Sequence, residues 1–208
     1  MTTDIKIKRA KFIDKSTEIR ETFSFADPVQ ILQAVNIYCC DHYGSMSWDL
    51  QSKIANQYFN SWSTCVKLAW EVPRDTHSYF LDYLSGNLVA IKRDILGRYV
   101  GFYQSLLNSP SREVNILARI VFKDIRTTTA RNLRFLEQET GGVTWPELPR
   151  KIKGRLQERQ PVVPREDQWR VQYLGKLLEE RDILRYEGLE GSKEVELVQG
   201  LIDSLCTN

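Results

Sequence analysis

Apolar residues recur along this chain at steps of three and four, the spacing that gathers them on one face of an α-helix, and strand-like alternation is nearly absent. The pattern predicts a helix over residues 3–23 that buries Phe12, Ile13 and Ile19 and turns Lys8, Arg9, Lys11 and Lys15 to solvent. Asp27-Pro28 reads as an N-cap followed by a first-position proline, where the missing N–H removes no helical hydrogen bond. A second helix then carries Leu32, Val35, Cys39 and Tyr43, with Gly44 placed to end it. The third is the clearest: Leu50, Ile54, Tyr58, Trp62, Cys65 and Ala69 step by 4, 4, 4, 3 and 4 before Pro73.

A short helix over 76–84 precedes a fifth through Leu88, Ile91, Ile95, Phe102 and Leu106. Asn108-Ser109-Pro110-Ser111 is a capping turn for a sixth with Val114, Leu117 and Val121, and a seventh over 128–140 ends at Gly141-Gly142. Residues 141–164, broken by Pro146, Pro149, Pro161 and Pro164, read as a linker. Beyond it, Leu174, Leu177, Leu178 and Arg181 mark one helix, and Val195, Val198, Leu201, Ile202 and Leu205 another, with a glycine turn at 188–191 between them. The expected fold is all-α: an irregular multi-helix bundle with a small C-terminal helical hairpin.

Composition narrows the chemistry. The 208 residues are 42% apolar, enough for a core, and the net charge of +2 forces no polyanionic partner. The distribution of charge says more, because positions 92–159 hold 14 basic and 7 acidic residues whereas positions 160–208 hold 6 and 10. Four cysteines (Cys39, Cys40, Cys65 and Cys206) are too few and too irregular for a secreted disulfide framework, so reduced thiols and an intracellular setting are expected. The polar, basic first eleven residues contain no signal-peptide core, and no run of about 18 apolar residues suggests a membrane span.

With two histidines, the catalytic and metal options can be examined one by one. Cys39, Cys40 and His42 are ligand types, but adjacent helical positions point about 100° apart, and the spaced pairs of structural zinc sites are missing. Buried packing cysteines fit better. His77 near Asp75 lacks a framed nucleophile and reads as a cap or turn residue; neither GxxxxGK[ST] nor GxGxxG occurs. Glu179-Glu180 beside Arg181 read as a solvated face, and Trp48, Trp62 and Trp70 as core. No cofactor and no metal are expected, and no complete catalytic centre.

The feature with functional content is basic. Arg119, Lys123, Arg126, Arg131 and Arg134 recur at steps of 4, 3, 5 and 3, which keeps most of them on one side of successive turns, an arrangement suited to a phosphate backbone. The competing account is a solvated face partly neutralised by Asp124 and Glu137. A second cluster, Arg150-Lys151-Ile152-Lys153-Gly154-Arg155, falls in the linker and could contact nucleic acid or act as an import signal.

Read in order, several segments resemble the part of non-LTR (LINE-type) retrotransposon reverse transcriptases that follows the polymerase palm. Lys8-Arg9-Ala10-Lys11-Phe12, the helix from Pro28, and Tyr43-Gly44-Ser45-Met46-Ser47-Trp48-Asp49-Leu50 look like the thumb and the segment closing it. Tyr58-Phe59-Asn60-Ser61-Trp62-Ser63-Thr64-Cys65-Val66-Lys67, followed by Val72-Pro73-Arg74, looks like the helix after the thumb. Arg98-Tyr99-Val100-Gly101-Phe102-Tyr103-Gln104-Ser105-Leu106-Leu107, Ser109-Pro110-Ser111-Arg112-Glu113-Val114 and Asp124-Ile125-Arg126-Thr127-Thr128-Thr129-Ala130-Arg131-Asn132-Leu133 continue the match. It covers residues 8–140 and, more loosely, 169–206.

The resemblance implies thumb-like helices over 1–46, a post-thumb helical domain over 47–140, the linker at 141–164 and an acidic hairpin over 165–208. It implies a grip on template-primer duplex or target nucleic acid, RNA or DNA, sequence-tolerant, through Lys8, Arg9 and Lys11 together with Arg119, Lys123, Arg126, Arg131 and Arg134, and contact with a palm domain. The family's Tyr-Ala-Asp-Asp segment and its endonuclease have no counterpart in these residues, so a non-enzymatic fragment is expected. The alternative is a helical interaction or scaffold fragment, a relic reading frame without selected function.

Overall fold

A computed structural model describes residues 2–86, 88, 91–124, 126–139 and 167–207. Among them there is no strand, and the all-α multi-helix bundle expected from the periodicity is what forms. In chain order the α-helices are α1 (Thr2–Thr22), α2 (Pro28–Cys39), α3 (Lys53–Ala69), α4 (Ser78–Leu84), α5 (Ile91–Leu107), α6 (Arg112–Lys123), α7 (Thr128–Glu139), α8 (Gln168–Tyr186) and α9 (Lys193–Thr207), with a 3₁₀ turn at Ser45–Ser47. The proline-rich stretch, the end of α7 at Gly141-Gly142 and the basic cluster at 150–155 lie outside the described residues.

The helix starts follow the local chemistry. Asp27 caps α2 by accepting from the Val29 amide at 2.7 Å, Ser52 caps α3 through the Ala55 amide at 3.3 Å, and Ser111 caps α6 through the Val114 amide at 3.3 Å. The ends depart more. α2 stops at Cys39, leaving Tyr43 exposed, and Gly44, in left-handed conformation at φ 80°, instead opens the 3₁₀ turn. The chain leaves α2 early because His42 and Ser45 turn inward. On α1, Ile13 is 38% exposed and not core; Ser16 takes the inward position, its hydroxyl donating to the Ile13 carbonyl at 3.1 Å, with Ile5 and Phe12 buried above it.

α3 runs through the middle of the bundle. Tyr58 on it is met edge-on by Phe12, His42 and Trp48, at centroid distances of 6.0, 6.0 and 5.7 Å, geometries that favour aromatic pairs beyond simple burial. Trp48 and Trp62 are core as expected, and Trp70 packs partly buried against it. The helix ends in a Schellman arrangement, with the Glu71 amide donating to the Leu68 carbonyl and the Val72 amide to the Lys67 carbonyl. Glu71 sits at φ 53°, where glycine is the usual occupant.

α8 and α9 form the expected hairpin and close over this end of α3. Leu174, Leu177, Leu178, Val198, Ile202, Leu205 and Cys206 join the same hydrophobic cluster as α1–α5. Arg181, read from the sequence as part of a solvated face with Glu179 and Glu180, is only 1% exposed. Its Nη1 donates to the Trp70 carbonyl and to Gln199 Oε1, both at 3.1 Å, satisfying a carbonyl that the helix terminus leaves unpaired. Arg185 pairs with Glu71 at 2.7 Å, and Gln199 Nε2 donates to the Glu71 carbonyl at 3.2 Å. Leu201, expected on the core side, is 43% exposed; Cys206 takes a buried place on the same helix.

Candidate nucleic-acid interface

The basic residues picked out in the sequence meet only where α6 and α7 pack. Thr127 fixes the turn between these helices: its hydroxyl lies 3.0 Å from the Val121 carbonyl and 2.8 Å from the Asp124 carbonyl, and accepts from the Ala130 amide at 3.1 Å. The resulting groove has a volume of about 520 Å³. Arg119 and Lys123 from α6 and Arg134 from α7 line it, over Phe122, Ala130, Leu133 and the end of α5 at Leu107. Glu137 lies on the same rim. Arg119 is steered by Asn115, whose Oδ1 accepts from its Nε at 2.8 Å; the Asn115 amide nitrogen in turn donates to the Leu107 carbonyl.

The other expected cations lie elsewhere, most of them engaged. Arg126 folds onto Asp124 in a two-pronged contact of 3.0 and 2.9 Å, and this contact holds the Asp124 carboxyl below the ordinary carboxylate range. Arg131 reaches Asp49 at 3.5 Å and Thr128 Oγ1 at 3.3 Å. Lys8, expected to face solvent, keeps only 14% side-chain exposure: its Nζ donates to the Asp41 carbonyl at 3.1 Å and pairs with Oδ2 at 3.3 Å. The Tyr43 amide and Lys8 together lower the Asp41 carboxyl. Arg9 donates to the Gln57 carbonyl at 3.4 Å and lines a separate cleft between α1 and α3, while Lys11 is exposed on α1. The structure thus gathers three of the eight residues at one groove.

Two polar clusters had no signal in the sequence. His42, buried, makes a 2.5 Å contact from Nδ1 to Asp94 Oδ2, and Arg98 Nε donates to the same oxygen at 2.8 Å. The His42 contact and then Arg98 hold Asp94 below the ordinary carboxylate range. Asn132 on α7 is fully buried. Its Nδ2 donates to the Trp48 carbonyl at 2.7 Å and to the Tyr99 hydroxyl at 2.9 Å, and its Oδ1 accepts from the Leu50 amide at 3.0 Å. The network continues from Tyr99 to Tyr103 at 2.5 Å and from the Tyr103 hydroxyl to Thr129 Oγ1 at 3.1 Å. Asn132 therefore ties α7, which carries Arg134, to α5 and to the segment before α3.

The remaining candidates take structural places. His77 occupies the N-cap position of α4 and stacks on Tyr79. All four cysteines are free, Cys40 half-buried and the others buried. Burial pushes the Cys40 thiol up to about 12 and the Cys65 and Cys206 thiols up to about 11, so they stay protonated near neutral pH. Among the described residues no group of three or more His, Cys, Asp or Glu could hold a metal ion, and no helix is long and apolar enough to cross a membrane.

Beside the basic groove lies an apolar one. α6 buries only Ala118 fully; Leu117 and Ile120 are 61% and 60% exposed. Val114, Leu117 and Val121 face Met46, Phe102 and Leu106 across a cleft of about 370 Å³. Comparison with protein-family models, curated proteins and solved structures returns no match for this chain.

Proposed function

We propose that the chain is a non-catalytic piece of a non-LTR retrotransposon reverse transcriptase that holds template-primer or target nucleic acid through basic helices. The observation that carries this reading is the convergence of Arg119, Lys123 and Arg134, from two helices joined by a capped turn, on one open groove. Three cations around one groove bind phosphates by releasing the counterions those phosphates had condensed, an interaction indifferent to sequence. The ordered resemblance of residues 8–140 supplies the family context. The test is an anisotropy titration of the whole chain with an RNA–DNA hybrid. Binding at about 50 mM salt that weakens with a log–log salt slope near −3 is expected for three phosphate contacts; no binding at that salt refutes the reading.

The exposed apolar strip of α6 favours a second reading, a helical interaction fragment whose partner is a polymerase palm domain. Apolar side chains as exposed as Leu117 and Ile120, grouped on one helix, are the usual mark of a contact surface. Sedimentation with an added palm domain beside the hybrid titration separates the two readings, because the interaction fragment forms a complex with the palm and leaves the hybrid unbound.

A further inference from the structure

We propose that the α6–α7 groove receives one unpaired nucleotide of a bound strand, its phosphate on the cationic rim and its base on the apolar floor. This rests on the nucleic-acid reading above and adds the strand state of the ligand. Rim and floor ask for different things. Arg119, Lys123 and Arg134 are exposed, so a phosphate reaches them without stripping water from a buried charge. Phe122 and Leu107, half-buried above the already buried Ala130 and Leu133, offer nothing to a phosphate, but a flat heterocycle gains by covering them.

Size and fixation agree. A cleft of about 520 Å³ is within the range that takes small organic ligands, roughly 300–1,000 Å³, and suits a single nucleotide. The Phe122 ring is held from its far side by Tyr103, edge to face at 4.8 Å and 80°, and Tyr103 is itself tied to Tyr99 and Thr129. The ring is therefore in place before any ligand arrives, and little side-chain freedom is lost on binding. A base-paired duplex keeps its base faces stacked within the helix and shows only phosphates and groove edges, so it touches the rim and leaves the floor in water.

The experiment uses the full chain and three labelled probes of equal length, about 16 nucleotides: a pyrimidine single strand, an abasic strand with the same phosphates, and a blunt duplex. The intact strand should bind roughly tenfold or more tighter than the abasic one, and tighter than the duplex. A 5-iodouracil strand should photo-crosslink to Phe122. In Phe122→Leu the gap between intact and abasic strands should narrow, whereas Arg134→Gln should weaken both alike. Equal binding of intact and abasic strands, a duplex bound as tightly as the single strand, or crosslinks confined to other peptides would overturn this inference and leave the phosphate grip standing. Binding of none of the three probes overturns both.

Discussion

Replacing Asn132 tests whether the buried network holds the groove's two helices to the rest of the bundle. In Asn132→Ala the Leu50 amide and the Trp48 carbonyl lose their partner in a site with no exposure, and Tyr99 loses a donor. Each buried main-chain group left unpaired costs about 1–3 kcal/mol, and the vacated amide volume adds a cavity term, so the loss should be about 4 kcal/mol. Against a typical total of about 5–15 kcal/mol this is a large fraction. In urea, at a slope of about 2 kcal/mol/M, it moves the midpoint down by about 2 M with the slope unchanged. Far-UV circular dichroism reads the transition. Asn132→Leu fills the volume without satisfying the partners and should be nearly as damaging; recovery to within about 1 kcal/mol of the parent in either variant would refute the argument.

Four further outcomes follow from the same geometry. Glu71→Gly should melt higher than Glu71→Ala by about 1 kcal/mol, since both lose the exposed pair with Arg185 but only glycine is at ease at φ 53°. Arg181→Ala should cost about 3 kcal/mol in chemical denaturation and raise amide exchange in α8 and α9 first, because the Trp70 carbonyl and Gln199 lose a buried donor. Asp94 has a lowered folded-state pKa, so its contribution to stability is present above the ordinary carboxylate value, about pH 4, and is lost as pH falls through the folded value; the acid limb of the stability curve should flatten in Asp94→Asn. In salt-titrated binding, Lys123→Gln and Arg134→Gln should each reduce the slope by about one, and Arg126→Gln by less, as Asp124 already holds that guanidinium.

What could be read beforehand was local. Asp27-Pro28 and Ser111 announce helix starts because a cap satisfies amides two or three residues away. The third helix was legible through its spacing from Ile54 on, although Leu50, counted as its first position, is buried just before its start at Lys53. Prediction failed where a distant partner decides. Nothing near Lys8 in sequence tells that Asp41 will cover it, and α2 ends before Gly44 because His42 turns toward Asp94, 52 residues on. Ile13 and Ser16 traded places because they lie about 60° apart around the helix, and only the packing of α3 fixes which one faces in. The cationic stripe was visible as a period, but periodicity could not divide Arg119, Lys123 and Arg134, which share a groove, from Arg126 and Arg131, which close onto nearby acids.

The seating of α8 and α9 on the end of α3 also bears on when the molecule can finish folding. Gln199 meets Glu71 across 128 residues of chain. At about 5–20 residues per second of synthesis, the α3 terminus emerges on the order of ten seconds before the helix that covers it. During that interval the Trp70 carbonyl and the apolar surface later closed by Leu178, Ile202 and Cys206 face water, in a nascent chain whose first helices already have most of their own partners. A ribosome-bound intermediate cut before α8 should therefore present this one face to chaperones, and it is the last part of the core to dry.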